Sequence, residues 1–376
     1  MPSRGRSVMS DSSELLLGVE FAGTGLHPSS WRRNDSRAED LFTARYWTDL
    51  VGSADRAGAD FAFLPDDFGV TTAENTVRGR LEAVGIAARL SAVTTRIGLI
   101  PAATVTHTEP FHVAKAIQTV DHTTLGRAGW EVAVTEGAGP ARLFGRKDAQ
   151  DEASLWAEAH EAAEVAARLW DSWEDDAEIR DVDTGRFIDR DKLHYIDFEG
   201  EFFSVKGPSI TPRSPQGQPL VAVTVTGDHS LGFATARADL VRIRAADPQA
   251  AADLAGRVRS AANGRRVHIL LDVDLLLAAN ENDAATDLAQ LEGWAGRPYH
   301  PDTVFHRGAP AGLVDLLGRV HGVDGVVLRP LALASTVHHL VGDALPVLRP
   351  TVEPAAGTLR DRLGLARPVN RFASAH

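Results

Sequence analysis

The 376-residue sequence contains no cysteine, which excludes disulfides, thiolate nucleophiles and cysteine metal sites. No apolar run approaches the roughly 20 residues that a membrane-spanning helix needs. Met1–Ser13 lacks the hydrophobic middle of a signal peptide, and we interpret residues 1–14 as a disordered tail. The net charge of −12 leaves no basic face for nucleic acid. Composition therefore predicts a soluble cytoplasmic protein without nucleic-acid or membrane partners.

Short apolar runs alternate with amphipathic stretches over most of the chain, and hydrophobic residues make up 44% of it. Such alternation is typical of a parallel sheet, and eight units predict closure into a (β/α)8 barrel. Residues 15–376 are accordingly expected to form one domain. The predicted strands are Leu15–Phe21, Asp60–Pro65, Arg96–Ile100, Ala128–Val134, Leu220–Val225, Leu240–Ile243, Val267–Val273 and Gly325–Leu328.

An open, doubly wound sheet is the alternative fold for the same alternation. Such sheets usually carry a glycine-rich fingerprint after the first strand. Residues 22–28 read AGTGLHP, without the third glycine or a helix that starts there. Walker-type phosphate loops and Gly-x-Ser-x-Gly segments are also missing from the sequence, which argues against a nucleotide triphosphatase or a serine hydrolase. The barrel is therefore favoured.

One connection is unusually long. Residues 173–219 separate a predicted helix, Ser154–Trp170, from the fifth strand. Phe198–Val205 is typical of a short β-hairpin, and four prolines keep the exit extended. So long a connection inside a compact domain usually serves function. We expect this insertion to pack over the active-site end of the barrel.

The residue pattern of the insertion resembles one family. DSWEDD, TGRFID, DKLHYIDFEGEFFSVKGP and TPRSPQGQP occur in order, and the tail reads GTLRDRLGLARPVNRF. This succession resembles the flavin-dependent monooxygenases of the nitrilotriacetate and dibenzothiophene-sulfone group, a branch of the bacterial-luciferase-like superfamily. The resemblance covers roughly residues 15–372. It implies a homodimeric barrel that uses reduced FMN, supplied by a separate reductase, to insert one oxygen atom of O2 into a small organic substrate.

Chemistry in such barrels lies at the carboxyl ends of the strands. After the first strand, Gly25, His27 and Trp31 resemble the Gly-x-His-x-x-x-Trp-Arg segment of the family, which makes His27 the catalytic candidate. The alternative is a loop histidine that is hydrogen-bonded to backbone. After the second strand, Asp66 falls where the family has a cofactor-side aspartate, although an aspartate there also commonly caps the next turn.

Two further loops are expected at the flavin ring. After the third strand, Thr104 and Thr106 alternate along an extended chain, so both hydroxyls point the same way and suit the edge of an isoalloxazine. In the fourth strand, Trp130, Glu131 and Thr135 align with the Trp-Asn-(apolar)-Val-Thr-Ser run of the family. We assign all five to cofactor binding by resemblance.

The phosphate loops depart from the family towards negative charge. Glu131 and Glu136 replace the family's amide and serine, the long helix carries Glu158 near its expected basic positions, and Gly227-Asp228-His229-Ser230 places Asp228 beside two expected cofactor contacts, Gly227 and Ser230. A phosphate dianion favours donors and positive potential.

Three hypotheses follow for function. The first is an FMN-dependent monooxygenase, the second a flavin-free relative that acts as a partner subunit or scaffold, and the third a deazaflavin-dependent oxidoreductase. We expect no metal, because the histidine pairs His338/His339 and His300/His306 lack tight ligand spacing with carboxylates.

Overall fold

The computed structural model describes residues 15–69 and 76–373, so the predicted tail of residues 1–14 lies outside the described residues. Nine parallel strands form one sheet in this part of the chain, and two short antiparallel hairpins lie apart from it. The strands are β1 Leu16–Glu20, β2 Phe61–Leu64, β3 Gly98–Thr104, β4 Gly129–Ala133, β5 Glu178–Asp181, β6 Arg186–Ile188, β7 Phe198–Glu199, β8 Ser204–Val205, β9 Leu220–Thr224, β10 Leu240–Ile243, β11 His268–Leu277, β12 Val304–Gly308 and β13 Gly325–Pro330.

Eight of the parallel strands close on themselves. Their order around the barrel is β1, β2, β3, β4, β9, β10, β11 and β13, and β13 returns to β1 with Leu16 opposite Gly325. The additional strand β12 pairs with the upper half of β11, from Val273 to Leu277. The predicted (β/α)8 barrel is therefore confirmed. The ninth strand was not predicted.

Helices follow most barrel strands and cover the outside of the sheet. They are α1 Ala44–Arg56, α2 Ala83–Leu90, α3 Pro110–Thr123, α4 Ala138–Phe144, α5 Glu152–Asp171, α6 Asp228–Arg237, α7 Pro248–Ala261, α8 Glu281–Ala295, α9 Pro310–Leu317, α10 Leu333–His339, α11 Leu345–Leu348 and α12 Leu359–Arg362. A π-helical turn, Leu340–Ala344, joins α10 to α11. The outer faces of the strands and the inner faces of the helices form one large apolar core.

The inside of the barrel has two layers. At the amino ends of the strands, Phe61, Ile100, Leu220, Leu240 and Leu270 form an apolar plug that α12 covers with Leu359. Closer to the carboxyl ends, the same inward-facing rows carry charged residues. This change follows from the strand period of two, because residues two apart along one strand share a face. A buried polar layer therefore lies directly below the mouth of the barrel.

The insertion runs along the side of α5 and only its tip reaches the mouth. Glu161 on α5 accepts hydrogen bonds from the backbone N–H groups of Glu201, Phe202 and Phe203 at 2.7, 2.9 and 3.3 Å. The exit segment lies at the other end of the barrel, where the Gln216 side chain donates to the Ala128 carbonyl at 2.7 Å. The expected hairpin is present as β7 and β8. The expectation of a lid over the active-site end was wrong for most of the insertion.

Candidate active site

A cavity of about 450 Å³ opens between the loops that follow β1 and β2. Its lining combines an apolar wall, with Leu41, Trp47 and Leu64, and polar or charged residues, which include Arg80 and the predicted residues His27 and Asp66. Both predicted residues lie there because the carboxyl ends of neighbouring parallel strands meet at one edge of the barrel. Two residues predicted from separate loops are thus brought to one cavity.

His27 is almost fully buried, with 2% of its surface exposed. Its Nδ1 accepts a hydrogen bond from the Ser29 N–H at 3.2 Å, which leaves the ring proton of the neutral imidazole on Nε2. Burial lowers the pKa of His27 below its ordinary value, so the ring is neutral at pH 7. The ring of Tyr299 is 6.0 Å away, centroid to centroid. His27 therefore offers a proton held at Nε2 rather than a positive charge.

Asp66 has a structural role as well as a place in the cavity. Its Oδ1 accepts from the Asp67 N–H at 2.9 Å, and its Oδ2 accepts from the N–H of Ala83, the first residue of α2, at 3.0 Å. Burial raises the pKa of Asp66 above its usual value. The capping alternative raised for this aspartate is thus realised, because both carboxylate oxygens hold backbone groups.

Three threonine hydroxyls tie the ends of β3 and β4 together. The Oγ1 atoms of Thr104 and Thr135 are 2.9 Å apart, and the Thr106 Oγ1 accepts from the Thr135 N–H at 3.0 Å. All three residues are buried. The three predicted threonines therefore form one hydrogen-bonded cluster. Within it the Thr106 hydroxyl acts only as an acceptor, so its proton is used by neither Thr104 nor Thr135.

Trp130 and Glu131 are adjacent in β4 and consequently face opposite sides of the sheet. Trp130 points outwards, where its indole packs edge-on against Trp170 of α5 and donates to the Ala103 carbonyl at 2.9 Å. Glu131 points into the barrel, where it accepts from the Thr224 hydroxyl at 2.9 Å. Trp130 therefore does not join the other predicted cofactor residues and belongs to the packing between sheet and helices.

Arg242 lies at the centre of the buried polar layer. Its guanidinium contacts Glu20 at 2.5 Å, Asp272 at 2.9 Å and Glu131 at 3.1 Å, and stacks 4.7 Å from the ring centroid of Phe63. Burial would lower the pKa of Arg242, but attraction to Asp272, Glu131 and Glu20 raises it well above its usual range. Glu131 is thus paired with Arg242 inside the barrel. It does not face a phosphate, contrary to the expectation from the sequence.

A second group of charges connects this layer to the surface. Arg329 on β13 contacts Asp274 at 3.2 Å and Asp302 at 3.4 Å, and Tyr299 donates to the Asp274 Oδ2 at 2.5 Å. Burial raises the pKa of Asp274 to about 6, although Arg329 opposes the shift. Sequence reasoning missed Arg242, Arg329 and Tyr299. The signal for Arg242 was a charge at an inward position of an otherwise apolar strand.

The loop after β9 begins α6, where Gly227 and Ser230 were predicted to hold a phosphate. The Ser230 hydroxyl accepts from the Gly227 N–H at 2.9 Å and from the Thr226 N–H at 2.8 Å, and donates to the Gly227 carbonyl at 2.9 Å. Ser230 is fully buried and Asp228 is exposed. The serine caps its own helix, so its hydroxyl is already committed.

Glu158 does not lie at this loop. It faces away from α6 and is buried against Lys147, whose Nζ is 2.5 and 2.6 Å from its two carboxylate oxygens. The acidic residue of α5 beside the loop is Glu152, whose Oε1 would lie 3.3 Å from a Cβ built on Gly227. Treating Glu158 as a phosphate-repelling charge was wrong, and Glu152 takes that place. Glu136 is exposed after β4.

Aromatic rings cross the mouth between the loops. Phe144 of α4 packs 4.6 Å from Phe68, which follows β2, and stacks 5.0 Å from His107, which follows β3. The short helix α4 lies between two glycines with positive φ, Gly137 at 90° and Gly145 at 63°. This row of rings shields the polar ends of β3 and β4 from solvent. A second cavity, beside Lys147, is lined by His107.

A flavin can be tested against these residues in two parts. The cavity, its apolar wall and His27 fit an isoalloxazine ring, which needs one flat apolar surface and a few polar groups at its edge. The threonine cluster is buried and lies outside the lining of this cavity. The phosphate end does not fit, because the Ser230 hydroxyl is committed and Glu152 and Asp228 bring negative charge.

Within residues 15–69 and 76–373, no cluster of three metal-ligating side chains occurs, and no helix is long and apolar enough to cross a membrane.

The fold and the site together define a class of protein. Residues 23–313 match the model of the luciferase-like monooxygenase family, "Luciferase-like monooxygenase", and the chain belongs to that family. The recognition made from the insertion is confirmed.

Individual relatives are monooxygenases and subunits of pristinamycin IIA synthase. N-acetyl-S-(2-succino)cysteine monooxygenase of Bacillus subtilis is 35% identical over 233 residues, which are 62% of this chain and 53% of that protein. Nitrilotriacetate monooxygenase component A of Aminobacter aminovorans is 34% identical over 226 residues, 57% of this chain and 50% of the relative. This chain spans about half the length of these two. One of the polypeptides of pristinamycin IIA synthase of Streptomyces pristinaespiralis is 33% identical over 326 residues, 87% of this chain and 91% of that polypeptide.

The same fold recurs in a solved long-chain alkane monooxygenase, with a TM-score of 0.84 at 20% identity over 94% of this chain and 96% of the other. That likeness supports the barrel and says nothing about substrate.

Proposed function

We propose that this chain is the oxygenase of a two-component monooxygenase, which uses reduced flavin to insert one oxygen atom of O2 into a small organic substrate. The observation that carries the proposal is the cavity at the mouth of a luciferase-like barrel, where neutral His27 meets an apolar wall. The named relatives support the reaction class, since each of the two partial-length relatives above is a monooxygenase.

The bound flavin would supply the electrons that activate dioxygen. The chain's own residues would do the rest. The apolar wall with Leu41 and Trp47 would hold the ring and exclude water from the reacting atoms. His27 would hold or transfer a proton at Nε2, within the cavity that the substrate shares.

The cavity suits a small substrate with an apolar part. Its volume of about 450 Å³ is in the range of small-molecule sites, and Leu41, Trp47 and Leu64 supply its wall. The names of relatives suggest which compounds to try first: a thioether, a sulfone and an alkane. A separate reductase would supply the reduced flavin, as the designation "component A" of one relative suggests.

The test is a turnover experiment with purified protein, added FMN, an unrelated flavin reductase, NADH and ¹⁸O2. A thioether, a sulfone and an alkane are offered, and products are analysed by mass spectrometry. We expect one ¹⁸O atom in the product of at least one compound, and none when protein or reductase is left out. Failure with every compound, while a flavin binds tightly, would restrict the proposal to flavin binding.

A second candidate is a partner chain in a heteromeric synthase. The observation that favours it is the match to one polypeptide of pristinamycin IIA synthase over almost the whole of both chains. The other polypeptide of that synthase with a match is 27% identical over 74% of this chain. A flavin titration of the isolated chain separates the candidates, because a flavin-free partner chain would show no saturable binding.

We also propose that the protein forms a homodimer in the cytoplasm. The apolar stripe of α1 faces the chain's own barrel, with Tyr46, Leu50 and Val51 buried. The surface beside α1 nevertheless exposes Phe42 at 54% and Leu81 at 37%. Light scattering should therefore give twice the mass of one chain, and the replacement of Phe42 by serine should shift the mass towards the monomer. A monomer mass for the unmodified protein would contradict the proposal.

A further inference from the structure

Helix α6 starts where a phosphorylated ligand in the barrel mouth would be held most easily. It begins at Asp228, directly after β9, so its amino end lies at the carboxyl end of the barrel strands. Helix amino ends attract phosphate through free N–H groups and the helix dipole, and barrels of this kind use them for that purpose. In this chain three observations weaken that attraction.

The first observation concerns the serine of the loop. Ser230 is fully buried, and its hydroxyl accepts from two N–H groups and donates to the Gly227 carbonyl. A hydroxyl has one proton and two lone pairs, so these three contacts use its whole capacity. A phosphate could recruit it only if the cap of α6 were broken.

The second observation is the pair of carboxylates. Asp228 is the first residue of α6, and Glu152, the first residue of α5, reaches within 3.3 Å of a Cβ built on Gly227. Acidic residues in a first turn suit the helix dipole and therefore use the same positive potential that a phosphate needs. Two negative charges thus already occupy this end.

The third observation concerns the nearest basic residues of the α4–α5 connection. Arg146 contacts Glu109 at 3.2 Å, and Lys147 contacts both oxygens of Glu158. The α5 residues that follow Glu152 into the helix, Leu155 and Trp156, are buried and apolar. Lys147 is thus committed to Glu158 of α5, and Arg146 pairs with Glu109 at the start of α3.

We infer that the site recognises a flavin through its ring and neutral ribityl chain, with no net contribution from a terminal phosphate, so that riboflavin binds at least as tightly as FMN. The inference rests on the proposed function, because it assumes that a flavin occupies the mouth. The inference adds which part of the flavin the site recognises, namely the ring and the ribityl chain.

The experiment is a pair of titrations that follow the quenching of flavin fluorescence, one with riboflavin and one with FMN, at low and at high salt. The Kd for riboflavin should be equal to or smaller than the Kd for FMN. Salt should tighten FMN binding, because it screens repulsion between the phosphate and the two carboxylates. Riboflavin binding should change little.

Neutral, isosteric variants show which carboxylates weaken the binding of FMN. Glu152→Gln together with Asp228→Asn should tighten FMN about two- to tenfold and leave riboflavin unchanged, as expected for two screened repulsions in water. Glu281→Gln is the matched control. Glu281 is the first residue of α8 and exposed, so its replacement repeats the loss of a first-turn acid at another helix. Neither flavin should respond to it.

The outcomes separate the inference from the proposed function. If the unmodified protein binds FMN tenfold or more tightly than riboflavin, the inference is overturned and the flavin enzyme stands. If the double variant tightens both flavins equally, the carboxylates do not act on a phosphate and the inference is again overturned. If neither flavin binds to the folded protein, the proposed function fails and the inference falls with it.

Discussion

The Nζ of Lys147 lies 2.5 and 2.6 Å from the two carboxylate oxygens of Glu158, whose side chain is only 3% exposed. Removal of the lysine leaves a buried carboxylate without its partner, which usually costs more than the pair contributes. We therefore expect Lys147→Met to lower the free energy of unfolding by about 1–3 kcal/mol, measured by urea denaturation.

The double variant Lys147→Met/Glu158→Gln should recover most of that loss, since it removes the unpaired charge. Lys192→Met is the control, because Lys192 pairs with the exposed Asp176 and should not measurably change stability. Equal stability of the single variant and the unmodified protein would show that Glu158 has another partner or is solvated.

Arg242 should be the least replaceable residue of the barrel interior. It contacts Glu20, Glu131 and Asp272, and all four side chains are buried. Arg242→Met leaves three carboxylates without it, and we expect a loss of about 3–5 kcal/mol or more, or no folded protein. The same change combined with Glu20→Gln, Glu131→Gln and Asp272→Asn should restore a folded barrel, detectable by circular dichroism. Arg244→Met, at the partly exposed end of the network, should cost less.

Much of the fold was predictable because barrel strands are buried on both faces and appear as short apolar runs. The errors have physical causes. The third strand was predicted to end at Ile100, but β3 continues to Thr104, because its first half pairs with β2 and its second half with β4. The short strand β12, VFHRG, was missed because it carries a histidine and an arginine in five residues.

The site could be predicted from the sequence only where the order of the strands brings two residues close together. His27 and Asp66 meet because neighbouring strands end at the same edge. The neutralisation of Glu131 was not predictable, since Arg242 is 111 residues away and its inward direction depends on register. The confusion of Glu158 with Glu152 has a similar origin. Six residues along a helix turn the side chain by about 600°, which places the two on different faces, and charge alone does not show which face meets α6.

Asp274 should give stability an unusual pH dependence. Burial raises its pKa from 3.8 to about 6 in the folded protein, so the fold favours the protonated acid. Its contribution is complete below pH 3.8 and is lost as the pH rises through 6. The difference corresponds to roughly 3 kcal/mol at most. Asp274→Asn mimics the protonated acid, so the variant should match the unmodified protein near pH 4 and exceed its stability above pH 6.

Arg329, Tyr299, Asp272 and Asp302 all face Asp274 and influence its pKa. Asp302 provides a control of opposite sign, because attraction to Arg244 and Arg329 outweighs burial and lowers its pKa. Its stabilisation is present at neutral pH and lost in acid, so Asp302→Asn should be destabilised at pH 7 and approach the unmodified protein at low pH. Chemical denaturation at several pH values checks both variants. A variant of Asp274 that is less stable at pH 7 would contradict the prediction.

We expect His27 to determine how much oxygen enters the product, and not how tightly the flavin binds. His27 lines the cavity and its Nδ1 accepts from the Ser29 N–H, so His27→Gln removes a group that can transfer a proton and keeps polarity and approximate size. We expect product per reduced flavin to fall about 10²-fold or more, with hydrogen peroxide released instead, and flavin affinity to stay within about twofold.

His306→Gln is the matched control, because His306 also has a burial-lowered pKa but contacts the Ala309 carbonyl outside the cavity. Since the neutral ring is the working form, activity of the unmodified protein should be flat above pH 7 and fall only below 6.5, the ordinary pKa of histidine. A His27→Gln variant with unchanged product yield would assign the proton to another group.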